Sequence, residues 1–82
     1  MKIEHIEKYR RLGLRIAYYR KLRGMTQEQL AEALDKSPAF IGHVEASGVS
    51  KAISLDTLFD IAEILKVPPF KFLCFDDDFS QN

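Results

Sequence analysis

A chain of 82 residues, of which 46% are hydrophobic and 29% charged, has the composition of a small globular protein and not of a disordered segment. The single cysteine, Cys74, excludes an intrachain disulfide and favours a reducing compartment. Charged and apolar residues alternate through the first eleven positions, so we expect no signal peptide, no membrane span and a cytoplasmic protein. We also expect one domain over residues 1–82, with a core over about 6–75 and an acidic, flexible tail over 76–82.

The charges are unevenly distributed although the net charge is zero. Residues 1–36 contain nine Lys and Arg against five Asp and Glu, a balance of +4, and residues 37–82 have a balance of −4. This asymmetry predicts one basic end, which suits a nucleic-acid partner. Ordinary solvated helix faces would give the same counts and stay an alternative.

Helix signals begin in the basic half. Apolar residues recur every three or four positions from about Ile6 to Arg23, which predicts a basic amphipathic helix that ends at Gly24. Its predicted apolar face is Leu12, Ile16, Tyr19 and Leu22. Thr26 and Gln29 have the spacing of a capping box, so a second helix is predicted from Gln27 to about Leu34. This helix is expected to bury Leu30, Ala31 and Leu34.

Three further elements follow along the chain. Ser37 and Pro38 are a favourable cap and first residue for a third helix, which buries Ile41 and Val44. After a loop over 46–53, Ser54 caps a fourth helix, and the sequence Val-Pro-Pro at 67–69 ends it. The apolar set of the fourth helix is Leu55, Leu58, Ile61, Ala62 and Leu65. The apolar residues of 70–75 predict a short fifth helix or turn, so the fold class is all-α with five helices.

The second and third helices together have the features of a helix-turn-helix. About three residues join them, and the small Ala31 lies where their axes must approach closely. A helical hairpin in an ordinary bundle can have the same spacing, so this pattern alone leaves both structures open.

A longer pattern resembles a known family. The run Leu12-Gly13 … Ile16 … Arg20 … Gly24-Met25-Thr26-Gln27-Glu28-Gln29-Leu30-Ala31 … Leu34 … Ser37 … Ile41 … Val44-Glu45 … Leu55-Asp56-Thr57-Leu58 … Ile61-Ala62 … Leu65 is similar to the phage-repressor and Cro type of helix-turn-helix, the Xre family of bacterial transcriptional regulators. The resemblance implies a five-helix, lambda-repressor-like domain. It also implies a dimer that inserts helix 3, residues 38–46, into the major groove of double-stranded DNA.

The resemblance also implies roles for single residues. Thr26 and Gln27 would contact phosphate, as would Lys51 and, less typically, Lys36, while Ser37 begins the helix that enters the groove. The positions that would face base edges are Pro38, Ala39, Gly42 and His43. Arg20 and Glu45 match a pair that forms a salt bridge between the first and third helices.

Two positions depart from the family pattern. Asp35 replaces the glycine that is usual in the turn, and Ser47 stands where glycine commonly follows the third helix. Aspartate tolerates a left-handed backbone better than most residues, so we expect the turn to be retained.

The pattern therefore predicts a sequence-specific DNA-binding regulator, most simply a repressor. The third helix has no Arg, Gln or Asn at its exposed positions, which leaves a second hypothesis open: a protein-interaction module or antitoxin-type partner with weak or no specific DNA binding. The phenylalanines between Phe70 and Phe79 exceed what a small core can hide and predict a dimer surface, unless they pack on Tyr18 and Tyr19. No catalytic, metal-binding or cofactor-binding pattern is present, so we expect no enzyme and no cofactor.

Overall fold

The computed structural model describes residues 2–46 and 52–75. Four α-helices occupy most of these residues: α1 (Ile6–Leu22), α2 (Gln27–Ala33), α3 (Pro38–Glu45) and α4 (Leu55–Leu65). Two short 3-10 helices, Ile3–His5 and Pro69–Phe72, lie at the two ends. The described residues contain no strand, which confirms the all-α class.

The predicted fifth helix is a single 3-10 turn of four residues. Its hydrogen bonds run from Lys71 N to Pro68 O (3.0 Å) and from Leu73 N to Phe70 O (3.1 Å), three residues back along the chain. Pro69 has no N–H to donate, so this segment cannot extend backwards into an α-helix.

The helix starts lie where their capping residues predict. Thr26 Oγ1 accepts a hydrogen bond from Gln29 N (3.0 Å), and Gln29 Oε1 accepts one from Thr26 N (2.9 Å), which completes the capping box. Ser37 Oγ accepts from Phe40 N, and Ser54 Oγ accepts from Thr57 N. These local contacts confirm the starts of α2, α3 and α4.

Within residues 2–46 and 52–75, three residues with positive φ reverse the chain between elements. Gly24 has φ 73° and terminates α1, as predicted. Asp35 has φ 58°, so the turn between α2 and α3 is retained without glycine. Lys66 has φ 59° and ends α4 one residue before the Val-Pro-Pro segment to which the sequence assigned that end.

The core lies between α1, α3 and α4 and under α2. It contains Leu12, Ile16, Leu30, Ala31, Ile41, Val44, Leu58, Ile61, Ala62, Leu65, Val67 and Phe72. Two predicted core residues are wrong: Leu22 is 58% exposed and Leu55 is 62% exposed, because each lies in a terminal turn of its helix, where neighbouring helices no longer cover the apolar face. Leu34 is only half-buried.

Gly13 sets the distance between α1 and α3. A Cβ atom at this position would lie 2.0 Å from the carbonyl oxygen of Val44, far inside van der Waals contact. Glycine is therefore required there so that the backbones can touch.

The C-terminal aromatic residues have divided roles. Phe72 is buried and packs edge-on against Tyr19, with 5.2 Å between ring centroids. Phe75 is half-buried under the guanidinium of Arg11, whereas Phe70 is 65% exposed. Phe79, the acidic tail over 76–82, Ser47 and Lys51 lie outside the described residues. Across the described ranges, no helix has the length and apolar character needed to cross a membrane.

Candidate nucleic-acid interface

The outer face of α3 carries the four side chains that the resemblance assigned to base contact. Pro38, Ala39 and His43 are exposed, and Gly42 is half-buried. The opposite face of the helix is formed by Ile41 and Val44, which are buried in the core. The helix therefore presents one small-residue face to solvent, with His43 as its largest polar side chain.

A buried ion pair sets the tilt of α3. Arg20 Nε donates to Glu45 Oε2 (2.8 Å) and Arg20 Nη2 donates to Glu45 Oε1 (2.9 Å), with both side chains less than a tenth exposed. The remaining arm, Arg20 Nη1, donates to the carbonyl oxygen of Met25 (2.7 Å). One guanidinium thus ties α1 to the C-terminal turn of α3 and to the segment that leads into α2.

The side chain of Gln27 bridges α2 and α3. Its Nε2 donates to Glu45 Oε1 (2.9 Å), so Glu45 accepts from two different side chains. Its Oε1 lies 3.9 Å from the point where a Cβ of residue 42 would be. The sequence does not indicate the contact between Gln27 and Glu45, because these residues are 18 positions apart and the resemblance assigned Gln27 to phosphate.

Two of the predicted DNA-binding residues have structural roles as well. The hydroxyl oxygens of Thr26 and Ser37 already accept the capping hydrogen bonds of α2 and α3. Each hydroxyl keeps its own hydrogen for donation to an outside acceptor. Capping and phosphate binding are therefore compatible at these positions.

Lys36 is exposed in the turn between α2 and α3, and its Nζ lies over the ring of Phe40 at 5.3 Å from the centroid. A cation over an aromatic face is held loosely and keeps its charge. Lys51, the other predicted basic contact, falls in the range 47–51 and outside the described residues.

Much of the positive charge on α1 is used within the protein. Arg10 and Arg11 both donate to the carboxylate of Glu7, and these hydrogen bonds lower the pKa of Glu7 to about 2. The same contact raises the pKa of Arg10. Arg23 donates to the carbonyl oxygens of Leu65 (2.6 Å) and Lys66 (3.1 Å) at the end of α4. The basic end predicted from the charge count is in part a set of internal contacts.

A comparison with family models decides the class of the protein. The helix-turn-helix model HTH_3 matches residues 16–72, more than half of the chain. The chain belongs to the HTH_3 family. This membership confirms the Xre and lambda-repressor type that the sequence pattern resembles, and it makes the protein a non-enzymatic DNA-binding regulator.

Solved structures of other helix-turn-helix proteins are similar to this HTH_3 domain. The restriction-modification controller protein C.AhdI from Aeromonas hydrophila is 25% identical, with a TM-score of 0.75 over 84% of this chain and 97% of that one. The clp gene regulator ClgR from Corynebacterium glutamicum is 28% identical, with a TM-score of 0.73 over 79% of this chain and 67% of that one. An HTH_3 family transcriptional regulator from Vibrio cholerae, 22% identical with a TM-score of 0.74, covers 90% of this chain and 40% of that one and shares the fold. Among curated proteins, no match to this chain was found.

Proposed function

We propose that this HTH_3 protein is a cytoplasmic, sequence-specific transcriptional regulator that inserts α3 into the major groove of double-stranded DNA as a dimer. The observation that carries the proposal is the outer face of α3, exposed at Ala39 and His43 and held by the buried pair Arg20 and Glu45. A major groove about 12 Å wide admits one α-helix. Two similar solved structures are of a controller protein, 25% identical, and of a gene regulator, 28% identical. This similarity supports a role in gene control.

The proposed base contacts follow from the side chains on that face. The apolar Pro38 and Ala39 suit thymine methyl groups, and a ring nitrogen of His43 suits an acceptor such as guanine N7. The absence of a side chain at Gly42 lets the helix backbone approach the bases closely. Specificity then depends on methyl contacts, His43 and DNA shape more than on bidentate pairs.

The proposed phosphate contacts surround this face. Lys36 supplies charge, the hydroxyls of Thr26 and Ser37 supply donors, and the backbone N–H of Gln27 points out of the first turn of α2. Lys51 is proposed from the family resemblance alone. Repression is the proposed sign of control, since a protein bound over promoter DNA blocks transcription with no further contact.

The proposed dimer surface lies at the C-terminal end of the described chain. Phe70 is 65% exposed and Leu73 is 51% exposed, so this end of the chain offers apolar surface for a partner subunit to cover. Leu73 also lines an apolar groove with Leu55 and Phe75. A dimer would place two α3 helices about 34 Å apart, one turn of DNA.

Fluorescence anisotropy tests the DNA-binding proposal. The protein is titrated into labelled DNA from upstream of its own gene and into random-sequence DNA at several salt concentrations. We expect tighter binding to the upstream DNA, with log affinity falling linearly against log salt. His43→Ala should reduce the preference for the upstream DNA, and Lys36→Ala should lower the salt slope by about one.

Lys71→Ala is the matched control for Lys36→Ala. Lys71 is also exposed, but it lies in the C-terminal 3-10 helix, which packs on α1 and α4. Its removal should leave the salt slope unchanged. Equal slopes for all three proteins would contradict the placement of DNA on α3.

Sedimentation tests the dimer. Phe70→Ser should shift the protein from dimer to monomer, whereas Leu14→Ser, which removes another exposed leucine from α1, should not. A wild-type protein that is monomeric on its own DNA would contradict a dimer.

The second candidate function is a protein-interaction or antitoxin-type module. The small-residue face of α3 and the exposed Phe70 and Leu73 favour it, because an apolar surface suits a protein partner. A folded protein that binds neither DNA at low salt would favour this second function and contradict the first.

A further inference from the structure

The amide of Gln27 lies next to the position where Gly42 has no side chain on the outer face of α3. Nearest to a Cβ built on Gly42 is the Oε1 atom of Gln27, at 3.9 Å. Gln27 belongs to α2, and its oxygen is in van der Waals range of the point where a side chain of residue 42 would start. The middle of α3, where residue 42 has no side chain, therefore has a polar atom of α2 beside it.

Glu45 fixes which way this amide points. A carboxylate can only accept hydrogen bonds, so the atom of Gln27 that contacts Glu45 Oε1 at 2.9 Å must be the amide nitrogen. The carbonyl oxygen is then the atom left toward Gly42. Arg20 holds Glu45 through two hydrogen bonds, which keeps this orientation in place before any ligand binds.

A carbonyl oxygen beside the exposed face of α3 selects a hydrogen-bond donor. Phosphate oxygens are acceptors and would meet Gln27 Oε1 without a proton between them. In the major groove the donors are the exocyclic amino groups, N6 of adenine and N4 of cytosine. The amide nitrogen also keeps a second hydrogen beyond the one given to Glu45.

We propose that Gln27 is a specificity-determining residue whose Oε1, set over Gly42 by Glu45, accepts a hydrogen bond from the exocyclic amino group of a base. Adenine is the preferred base, because the second amide hydrogen can donate to its N7 while Oε1 accepts from N6. Cytosine offers N4 without that acceptor. This inference rests on the proposed DNA-binding function and adds to it a base contact from α2.

The experiment first selects preferred sites from random-sequence DNA with wild-type protein and with Gln27→Met, a side chain of similar length without hydrogen-bonding groups. We expect one adenine or cytosine preference to disappear with Gln27→Met while the other positions of the site are retained. Gln27 is exposed, so the variant should stay folded, as checked by circular dichroism.

Base analogues then test the contact from the side of the DNA. Purine replaces the selected adenine, or 2-pyrimidinone the selected cytosine, which removes only the amino group. We expect wild-type affinity to fall about three- to tenfold, and the affinity of Gln27→Met to be unchanged by the same analogue. His43→Ala, the matched control, should keep the full sensitivity to the analogue. Whichever of the two analogues lowers the affinity of wild-type protein identifies the contacted base as adenine or cytosine.

Three results would overturn the inference, and they differ from one another. Identical selected sites for wild-type and Gln27→Met would leave DNA reading intact and remove Gln27 from it. An equal loss on all sequences with a lower salt slope would make Gln27 a phosphate contact. No selected site with wild-type protein would show that the proposed function itself fails.

Discussion

Gly13 lies inside α1 and Gly42 lies inside α3. Replacing each of them with alanine should change the free energy of unfolding in opposite directions. Alanine replaces glycine in a helix interior with a gain of about 1 kcal/mol in the free energy of unfolding when nothing else changes. At Gly42 the nearest atom to the new Cβ is 3.9 Å away, an ordinary contact. We therefore expect Gly42→Ala to stabilise the protein by about 0.5–1 kcal/mol.

At Gly13 the same methyl group meets backbone. The new Cβ would lie 2.0 Å from Val44 O and 3.1 Å from Val44 C, so α1 and α3 must move apart. Overpacking of this kind costs about 1–3 kcal/mol or more, which exceeds the helix gain. The helix gain is common to both alanine variants, so we expect them to differ by the overpacking cost, about 1–3 kcal/mol or more in the free energy of unfolding.

Urea unfolding followed by circular dichroism at 222 nm measures both variants against wild type. Each 1 kcal/mol should also move the midpoint of thermal unfolding by about 4–8 °C in a domain of this size. A Gly13→Ala protein as stable as Gly42→Ala would refute the close approach of α1 and α3.

The remaining predictions concern the turn and two ion pairs. Asp35→Gly should raise the free energy of unfolding by about 0.5–1 kcal/mol, measured by urea, because Asp35 has φ 58° and glycine adopts this conformation without strain. Arg20→Ala should cost about 3–5 kcal/mol by leaving the buried carboxylate of Glu45 without its cation, and Arg20→Met with Glu45→Met should cost less; equal losses would contradict this reasoning. The pKa of Glu7 is about 2 in the folded protein against 4.5 for the carboxyl without partners, so its ionised form stabilises the fold. This contribution is complete above about pH 4.5 and is lost as the pH falls through 2. An NMR titration midpoint near pH 4.5 in the folded protein would refute this.

The sequence predicts the parts of this structure that depend on neighbours along the chain. The caps at Thr26, Ser37 and Ser54 and the turn at Gly24 are local, since each involves residues within a few positions. Contacts between distant residues are harder to read from one chain. The amide of Gln27 on Glu45 depends on how α2 and α3 meet, and no spacing signals it.

Periodicity likewise identifies the apolar face of a helix, but it does not show at which turn the neighbouring helices stop burying that face. Leu22 and Leu55 follow the apolar spacing of α1 and α4 and are exposed, because they lie in the last and first turns. Gly13 belongs to the family pattern in the sequence, yet only the packed structure shows that the carbonyl of Val44 lies against it.

The guanidinium of Arg20 has a consequence for the thermodynamics of association. Because it joins α1 to α3 and to the segment that leads into α2 before any partner arrives, the conformational entropy of ordering α3 is lost on folding and not on binding. The heat-capacity change on binding should then reflect only the surface covered, without a contribution from coupled folding. Encounter with a partner can likewise proceed as the docking of a preformed face.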